Sequence, residues 1–202
     1  MKIIEDGRAP NPRRVRIFLA EKGIEMDYEQ LDINAGEHKS EAMTALNPMQ
    51  RIPVLVLDDG TAISETIAIC RYFEALHPDP PLMGTTALEK AVIDMWQRRV
   101  EEKLLVPVAQ VLRHTNPRMA ALEVPQVPEW GEANRPRVEW MLDVLDSELA
   151  KRDYIAGNEY SLADISALVG TDFMRVNKTD IGARENLRRW HDRVSARPSA
   201  SA

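Results

Sequence analysis

The chain has 202 residues, 44% of them hydrophobic, enough for a real core and for one or two compact domains. Charged residues are mixed along the length, and a formal net charge of -6 argues against a dedicated nucleic-acid binder, which presents a basic face. The one cysteine, Cys70, has no internal partner for a disulfide, no leader pattern opens the sequence, and no apolar run reaches the ~20 residues that span a bilayer. A cytoplasmic protein without a membrane segment is expected.

Lys2 to Glu5 is a short apolar-centred run closed by the turn signal Asp6-Gly7, and reads as a strand. Asn11-Pro12 then looks like a helix start, with Asn as N-cap and Pro in the first turn. Val15, Ile17, Phe18 and Leu19 supply that helix's apolar side, and Gly23 ends it. Met26 to Asp32 alternates weakly and reads as a second strand. Residues 34–47, polar and closing on Asn47-Pro48, suit a short irregular helix. Pro53 to Leu57 and Thr61 to Ser64 flank Asp58-Asp59-Gly60, the strongest short-range hairpin signal in the chain. Glu65 to Leu76 follows as a helix burying Ile69, Tyr72 and Phe73. The order is strand, helix, strand, helix, strand, strand, helix: a mixed sheet with helices on its faces, over residues 1–77. His77-Pro78-Asp79-Pro80-Pro81 cannot continue a helix, so residues 78–85 are expected to be a linker.

From residue 86 to 202 the period is helical throughout, predicting an all-α domain. Thr86-Ala87-Leu88-Glu89 is a capping box, and Leu88, Val92, Trp96, Val100 and Leu104 recur at four-residue steps along a long helix that Pro107 should kink or interrupt. Residues 114–130, with Pro117, Pro125 and Pro128, predict a long loop or a loosely ordered crossing. Val138, Met141, Leu142, Leu145 and Leu149 mark a second long helix. Ser161-Leu162-Ala163-Asp164 is another capping box, read as a folding signal. Leu187 and Trp190 anchor a last short helix before a polar tail. No repeat and no metal-binding pattern is present.

The chemistry concentrates in two places. An X-Pro bond at a strand edge is one of the few positions where a cis peptide is tolerated, and a cis Ile52-Pro53 bond would turn the Ile52 main chain outward as a pairing edge for an extended peptide. About a dozen residues later, Ser64-Glu65-Thr66 opens a helix, where free N–H groups and the dipole favour a carboxylate. Such a pair suits a small peptide ligand with a free carboxylate, and glutathione is one.

APNPRRVRIFLAEKGI (9–24), AGEHKSEAMTALNPMQRIPVLVLDDGTAISETIAI (35–69), YSLADI (160–165) and Asn186-Leu187-Arg188-Arg189-Trp190 resemble the cytosolic glutathione transferases. Residues 35–69 are most similar to the theta-type and related bacterial members. The resemblance implies a thioredoxin-like α/β domain over 1–77 and an all-α domain over 86–202, a homodimer, and a role in detoxification. It sets the cysteinyl backbone of glutathione against Ile52 with Pro53 cis. Glu65 would take the glutamyl amino group and Thr66 its carboxylate. His38 and Arg51, with Lys39 and Gln50 as lesser candidates, would take the glycyl carboxylate. Theta-type enzymes have a serine hydroxyl at the thiol where this chain has Ala9, which cannot donate. Some bacterial members use an asparagine two positions on, and Asn11 sits there; Asn11 is alternatively only the N-cap of its helix. Arg13 or Arg14 near the sulfur would assist ionisation, the alternative being that both point to solvent. Cys70, inside a helix, is expected to be a packing residue. Met95 and Arg99, on the long helix, are weak candidates for contacts to the second substrate.

The expected function is glutathione transfer: the enzyme binds glutathione, stabilises its thiolate and promotes attack on a small electrophile, or on a disulfide or peroxide. The alternative is a non-catalytic module that keeps the fold for partner binding, which Ala9 favours slightly. A glutathione-dependent isomerase ranks lower, because the serine- and cysteine-rich loop of the maleylacetoacetate isomerase type is missing.

Overall fold

The computed structural model describes all 202 residues, which divide into two compact units: Met1–Leu82 with the terminal Pro198–Ala202, and Met83–Arg197.

In the first unit, β1 (Lys2–Glu5) is the organising strand. It pairs in parallel with β2 (Asp27–Gln30) on one side and antiparallel with β3 (Val54–Val56) on the other. β3 pairs antiparallel with β4 (Ala62–Ser64), giving the mixed order β2-β1-β3-β4. The β3–β4 connection turns at Gly60, whose φ of 85° suits a residue without Cβ. Because strand side chains alternate, Ile4 and Val54 face one side, where they join Ile52 and Met43 in a buried cluster; Ile3 and Leu55 face the other. Met43 comes from α2 (Glu41–Leu46), whose N-cap Ser40 accepts the Met43 N–H. Two longer helices pack against each other: α1 (Pro10–Glu21), burying Val15, Ile17, Phe18 and Leu19, and α3 (Thr66–Leu76), burying Ile69 and Phe73. The Lys22 side chain is fully buried at the end of α1. Its ammonium meets the His77 and Pro80 carbonyls at 2.7 Å each and the Glu74 carboxylate at 2.6 Å, fastening the chain where it leaves α3.

The second unit is helical. α4 (Ala87–Val100) starts at the Thr86 capping box, with Thr86 accepting from Glu89 N–H and Glu89 reaching back to Thr86 N–H. It runs through a π-turn at Glu101–Leu105 into α5 (Val106–Thr115). α6 (Pro128–Leu149) packs on α5, while α7 (Leu162–Phe173) packs on α4 and α8 (Glu185–Ser195) on α6. α7 is buried from Leu162 to Thr171, as expected of a helix apolar all round. Gly170 belongs there because a Cβ would lie 2.9 Å from a Leu104 methyl of the π-turn. No helix is long and apolar enough to cross a membrane.

The fold matches the expected one: a thioredoxin-like α/β part followed by an all-helical part. Several details differ. The N-cap of α1 is Ala9, and the helix begins at Pro10, so Asn11 lies in the first turn. Two prolines at positions 10 and 12 sit where helix N–H groups have no partner, and this lets the helix start earlier. Residues 34–47 split into a 3-10 turn (Glu37–Lys39) and α2. Leu88 is 74% exposed and Val92 half-buried, so the stripe of α4 becomes fully buried only from Trp96. Pro107 does not end its helix. It lacks an N–H for the Lys103 carbonyl and its ring crowds that carbonyl; the π-turn around Lys103 absorbs the misfit. The polar tail folds back into the first unit, where Arg13 Nη2 donates to the Ala200 carbonyl at 3.1 Å and Ser199 bonds Glu21.

Candidate glutathione site

The residues singled out in the first unit fall on three adjoining pieces of backbone. The first is the segment before β3. Asn47, buried, donates from Nδ2 to the Arg51 carbonyl at 2.8 Å and accepts the Met49 N–H on Oδ1 at 3.1 Å, so one amide clamps both ends of the turn. Gln50 is held at φ 53° with Nε2 donating to Thr44 Oγ1 at 3.0 Å, and Arg51 projects exposed. The Ile52–Pro53 bond is cis. Ile52 packs in the cluster with Ile4, Met43 and Val54, against which Ala9 at the start of α1 also packs. The Ile52 edge and the α1 N-terminus are thereby neighbours.

The second piece is the start of α3. Val54 pairs with Ser64, so Pro53 lies opposite Glu65 across the hairpin. Glu65 has φ 71° and ψ 120°, a region that a residue with a Cβ enters at a cost of about 1–3 kcal/mol. Thr66 beside it is buried. Glu65 is the N-cap, yet its side chain makes no capping hydrogen bond; nor does Ala9 for α1. Ser40 and Thr86 do cap α2 and α4. Two helix starts in this unit therefore lack the side-chain acceptor usual there; the N–H groups of α3, and at α1 the single N–H of Asn11 between Pro10 and Pro12, together with the positive dipole ends, are suited to an anion.

The third piece is the 3-10 turn at 37–39. His38 is buried, its Nδ1 has no hydrogen-bond partner, and burial lowers its pKa below the usual histidine value, helped by the nearby cations Lys39 and Arg51. At neutral pH it is an uncharged imidazole, able to give or take one hydrogen bond per nitrogen. Lys39 and Arg51 supply the positive charge around it.

Asn11 is exposed in the first turn of α1, its Oδ1 accepting from Arg14 Nη2 at 2.9 Å. That bond turns the amide oxygen toward a buried guanidinium, so the expected N-cap role belongs to Ala9 instead. Arg13 is committed to the Ala200 carbonyl. Cys70 is fully buried, and burial pushes its thiol pKa up to about 12; it is a packing residue with no thiolate at neutral pH. Met95 and Arg99 lie on α4 in the other unit, Met95 38% exposed and the Arg99 guanidinium over the Trp96 ring at 4.7 Å.

Sequence reasoning missed two contributors. Sequence pattern marks Asn47 only as the turn signal before Pro48, although a buried amide there has to bond the backbone around it. The backbone of Glu65 gave no warning at all, since the usual marker of positive φ is a glycine.

Known proteins resemble this chain along its whole length. Residues 9–76 match the family model of the glutathione S-transferase N-terminal domain, and residues 109–198 that of the glutathione S-transferase C-terminal domain. The chain is 38% identical over 203 residues to glutathione S-transferase 2 of Saccharomyces cerevisiae, covering 98% of this chain and 87% of that one. The crystal structure of Gtt2 from Saccharomyces cerevisiae superimposes with a TM-score of 0.95 at 38% identity, over 100% of this chain and 99% of the other. A glutathione S-transferase domain-containing protein from Marinobacter aquaeolei also superimposes at 0.95, with 36% identity over 98% and 99%. With both family domains matched in order and relatives aligned from end to end, the chain belongs to the glutathione S-transferase family.

Proposed function

We propose that this protein is a glutathione transferase that binds glutathione, favours its thiolate and promotes attack on a small electrophile, with disulfide or peroxide reduction as related chemistry. The observation that carries the reading is the strained Glu65 beside buried Thr66, at an uncapped helix start directly across the hairpin from the Ile52–Pro53 edge. A packing element has no need to hold a glutamate in that conformation. In this reading the Ile52 main chain pairs with the cysteinyl residue. Glu65 receives the glutamyl ammonium, while Thr66 and the α3 N–H groups receive its carboxylate. His38, Lys39, Gln50 and Arg51 surround the glycyl carboxylate, and Arg51 offers it two parallel bonds.

The thiol falls to Asn11. Its oxygen is occupied by Arg14, which leaves the amide N–H groups as the donors for a sulfur at the uncapped end of α1. A free thiol near pKa ~8.5 is mostly protonated at neutral pH, and lowering that by ~2 units requires roughly 2.7 kcal/mol of preference for the anion. One amide donor and one helix start together are of that order. Arg13 is the lesser candidate, being bonded to Ala200. An asparagine at the thiol, with alanine in the serine position, fits the bacterial theta-like subclass. Residues 1–77 then form the glutathione-binding domain, 78–85 a linker and 86–202 the helical domain apart from the terminal Pro198–Ala202, which pack with the first unit; Met95 and Arg99 of the helical domain contribute to the second-substrate pocket. The working form is a cytoplasmic homodimer with a detoxifying role.

Asn11→Ala is expected to lower kcat with glutathione affinity nearly kept, whereas Thr66→Ala raises the glutathione KM. Steady-state kinetics with an aryl halide, an organic peroxide and a small disulfide reads both effects and sorts the electrophile. Full activity of Asn11→Ala would move the thiol to a backbone N–H or to Arg13. Failure of the wild type to be retained on glutathione-agarose, with no thiolate absorbance, would favour a non-catalytic interaction module.

A further inference from the structure

The turn between β1 and α1 carries a buried carboxylate that none of the proposed steps uses. Asp6 is 4% exposed. Its Oδ1 accepts the Arg8 backbone N–H at 3.0 Å and Arg8 Nε at 2.8 Å. Its Oδ2 accepts Arg8 Nη2 at 2.7 Å and the Ile33 N–H at 3.3 Å, while its carbonyl accepts the Ala9 N–H at 2.9 Å. The same Arg8 Nη2 reaches Asp32 Oδ1 at 2.8 Å. Asp32 then holds the loop beyond it: Oδ1 accepts the Asn34 N–H at 2.8 Å, and its own N–H donates to Glu37 Oε2 at 2.6 Å. Glu37 precedes His38 in the 3-10 turn.

A continuous chain of bonds thus runs from the first residues of α1, where Asn11 sits, through Asp6, Arg8 and Asp32 to the turn that carries His38 and Lys39. Little slack exists beneath it. Glu5 Oε1 accepts from Arg16 Nη1 of α1 and from Gln30 Nε2 of β2, Gln30 Oε1 accepts the Gly7 N–H of the turn, and a Cβ on Gly7 would lie 2.8 Å from Arg16 Nη1. The bonds also suit a lasting charge: the Arg8 guanidinium holds the Asp6 carboxyl down to about 2, so the pair stays ionised at every physiological pH.

We propose that Arg8 is a positioning residue of the glutathione site, its guanidinium fixing the α1 start, which holds the sulfur, against the 32–39 loop, which holds the glycyl end. The inference rests on the functional reading above and deepens it. Only a fork-shaped cation can do this. Nε and Nη2 take the two Asp6 oxygens while Nη2 also meets Asp32, an arrangement that the single ammonium of a lysine cannot copy. A tripeptide gripped at both ends is sensitive to the spacing of its two holders, and an error near 1 Å at a reacting centre is enough to cost on the order of a hundredfold in rate.

The test uses Arg8→Lys, which keeps a cation beside the buried carboxylate so that the protein still folds, and Asp32→Ala, which removes the carboxylate facing Arg8 together with the acceptor of the Asn34 N–H. Each is expected to lower kcat/KM for glutathione by roughly tenfold, mostly through KM, while the KM for the electrophile stays put. Because both break the Arg8–Asp32 tie, the double variant should lose less than the sum of the two single losses. The Ile33 and Asn34 amides of Arg8→Lys should exchange with solvent faster in the free protein. If the wild type binds glutathione and both variants bind it equally well, or if their effects simply add, the proposal is overturned and the functional reading stands. If the wild type binds no glutathione at all, both fall together.

Discussion

Glu65 is the residue at which local stability and function pull apart. Its backbone, at φ 71° and ψ 120°, lies where glycine would be at ease, yet a glutamate is kept. Glu65→Gly should relieve about 1–3 kcal/mol of strain and return about 0.5–1 of it as glycine's extra entropy in the unfolded chain. The expected outcome is a protein about 1 kcal/mol more stable, read as a higher urea midpoint with an unchanged slope, that has lost much of its glutathione affinity. A variant that lost affinity without gaining stability would mean that the conformation is unstrained and the site explanation wrong. At this scale the sequence was partly legible. Glu65, Thr66, Ile52 and Pro53 declared themselves by type and spacing, because a helix start and a strand-edge proline each have a local signature. Asn47, Arg8 and the Glu65 dihedral did not, since a side chain that bonds remote backbone looks like any polar loop residue until the loop has folded.

Helix ends show how an element's sequence and its setting divide the work. Ser161-Leu162-Ala163-Asp164 reads as a capping box, and Asp164 does accept the Ser161 N–H and hydroxyl on Oδ2, both at 3.0 Å. It does more than cap. Oδ1 also takes the Ile155 N–H and Trp190 Nε1, each at 2.8 Å, so one fully buried carboxylate joins α7 to the loop before it and to α8. Burial raises its pKa from 3.8 to about 6 in spite of four donors. An acid raised on folding binds more protons native than unfolded between those two values. Its stabilising contribution is therefore complete below about 3.8 and declines as pH rises through about 6. Measured against Asp164→Asn, the wild type's stability advantage should shrink by roughly 2–3 kcal/mol between pH 4 and pH 7. A difference that stayed flat across that window would show that the donors, not desolvation, govern the carboxyl. The four-residue stripe and capping boxes made α4, α6 and α7 legible. The π-turn at Glu101–Leu105 was not, because Pro107 alone says that a bond is lost and the packing of Leu104 against Gly170 settles how the helix continues.

Across the whole molecule, the elements proposed to hold glutathione all belong to the first unit, whose core is one four-stranded sheet and three helices, while the second unit carries α4 to α8 and no sheet. A ligand that binds only the native state stabilises it by about 2.7 kcal/mol at one hundred times its dissociation constant. For a chain of this length that corresponds to a rise in Tm of roughly 5–10 °C. Scanning calorimetry with glutathione should therefore move the transition that includes the first unit. If both units melt in one cooperative step the entire endotherm shifts, and if they melt separately only one component does. Cysteinylglycine provides the control. It keeps the thiol and the glycyl carboxylate but lacks the γ-glutamyl ammonium and carboxylate assigned to Glu65 and Thr66, so at equal concentration it should shift Tm far less. Equal shifts from the two compounds would mean that the α3 start does not read the γ-glutamyl end. That result would leave the strain at Glu65 without a purpose in binding.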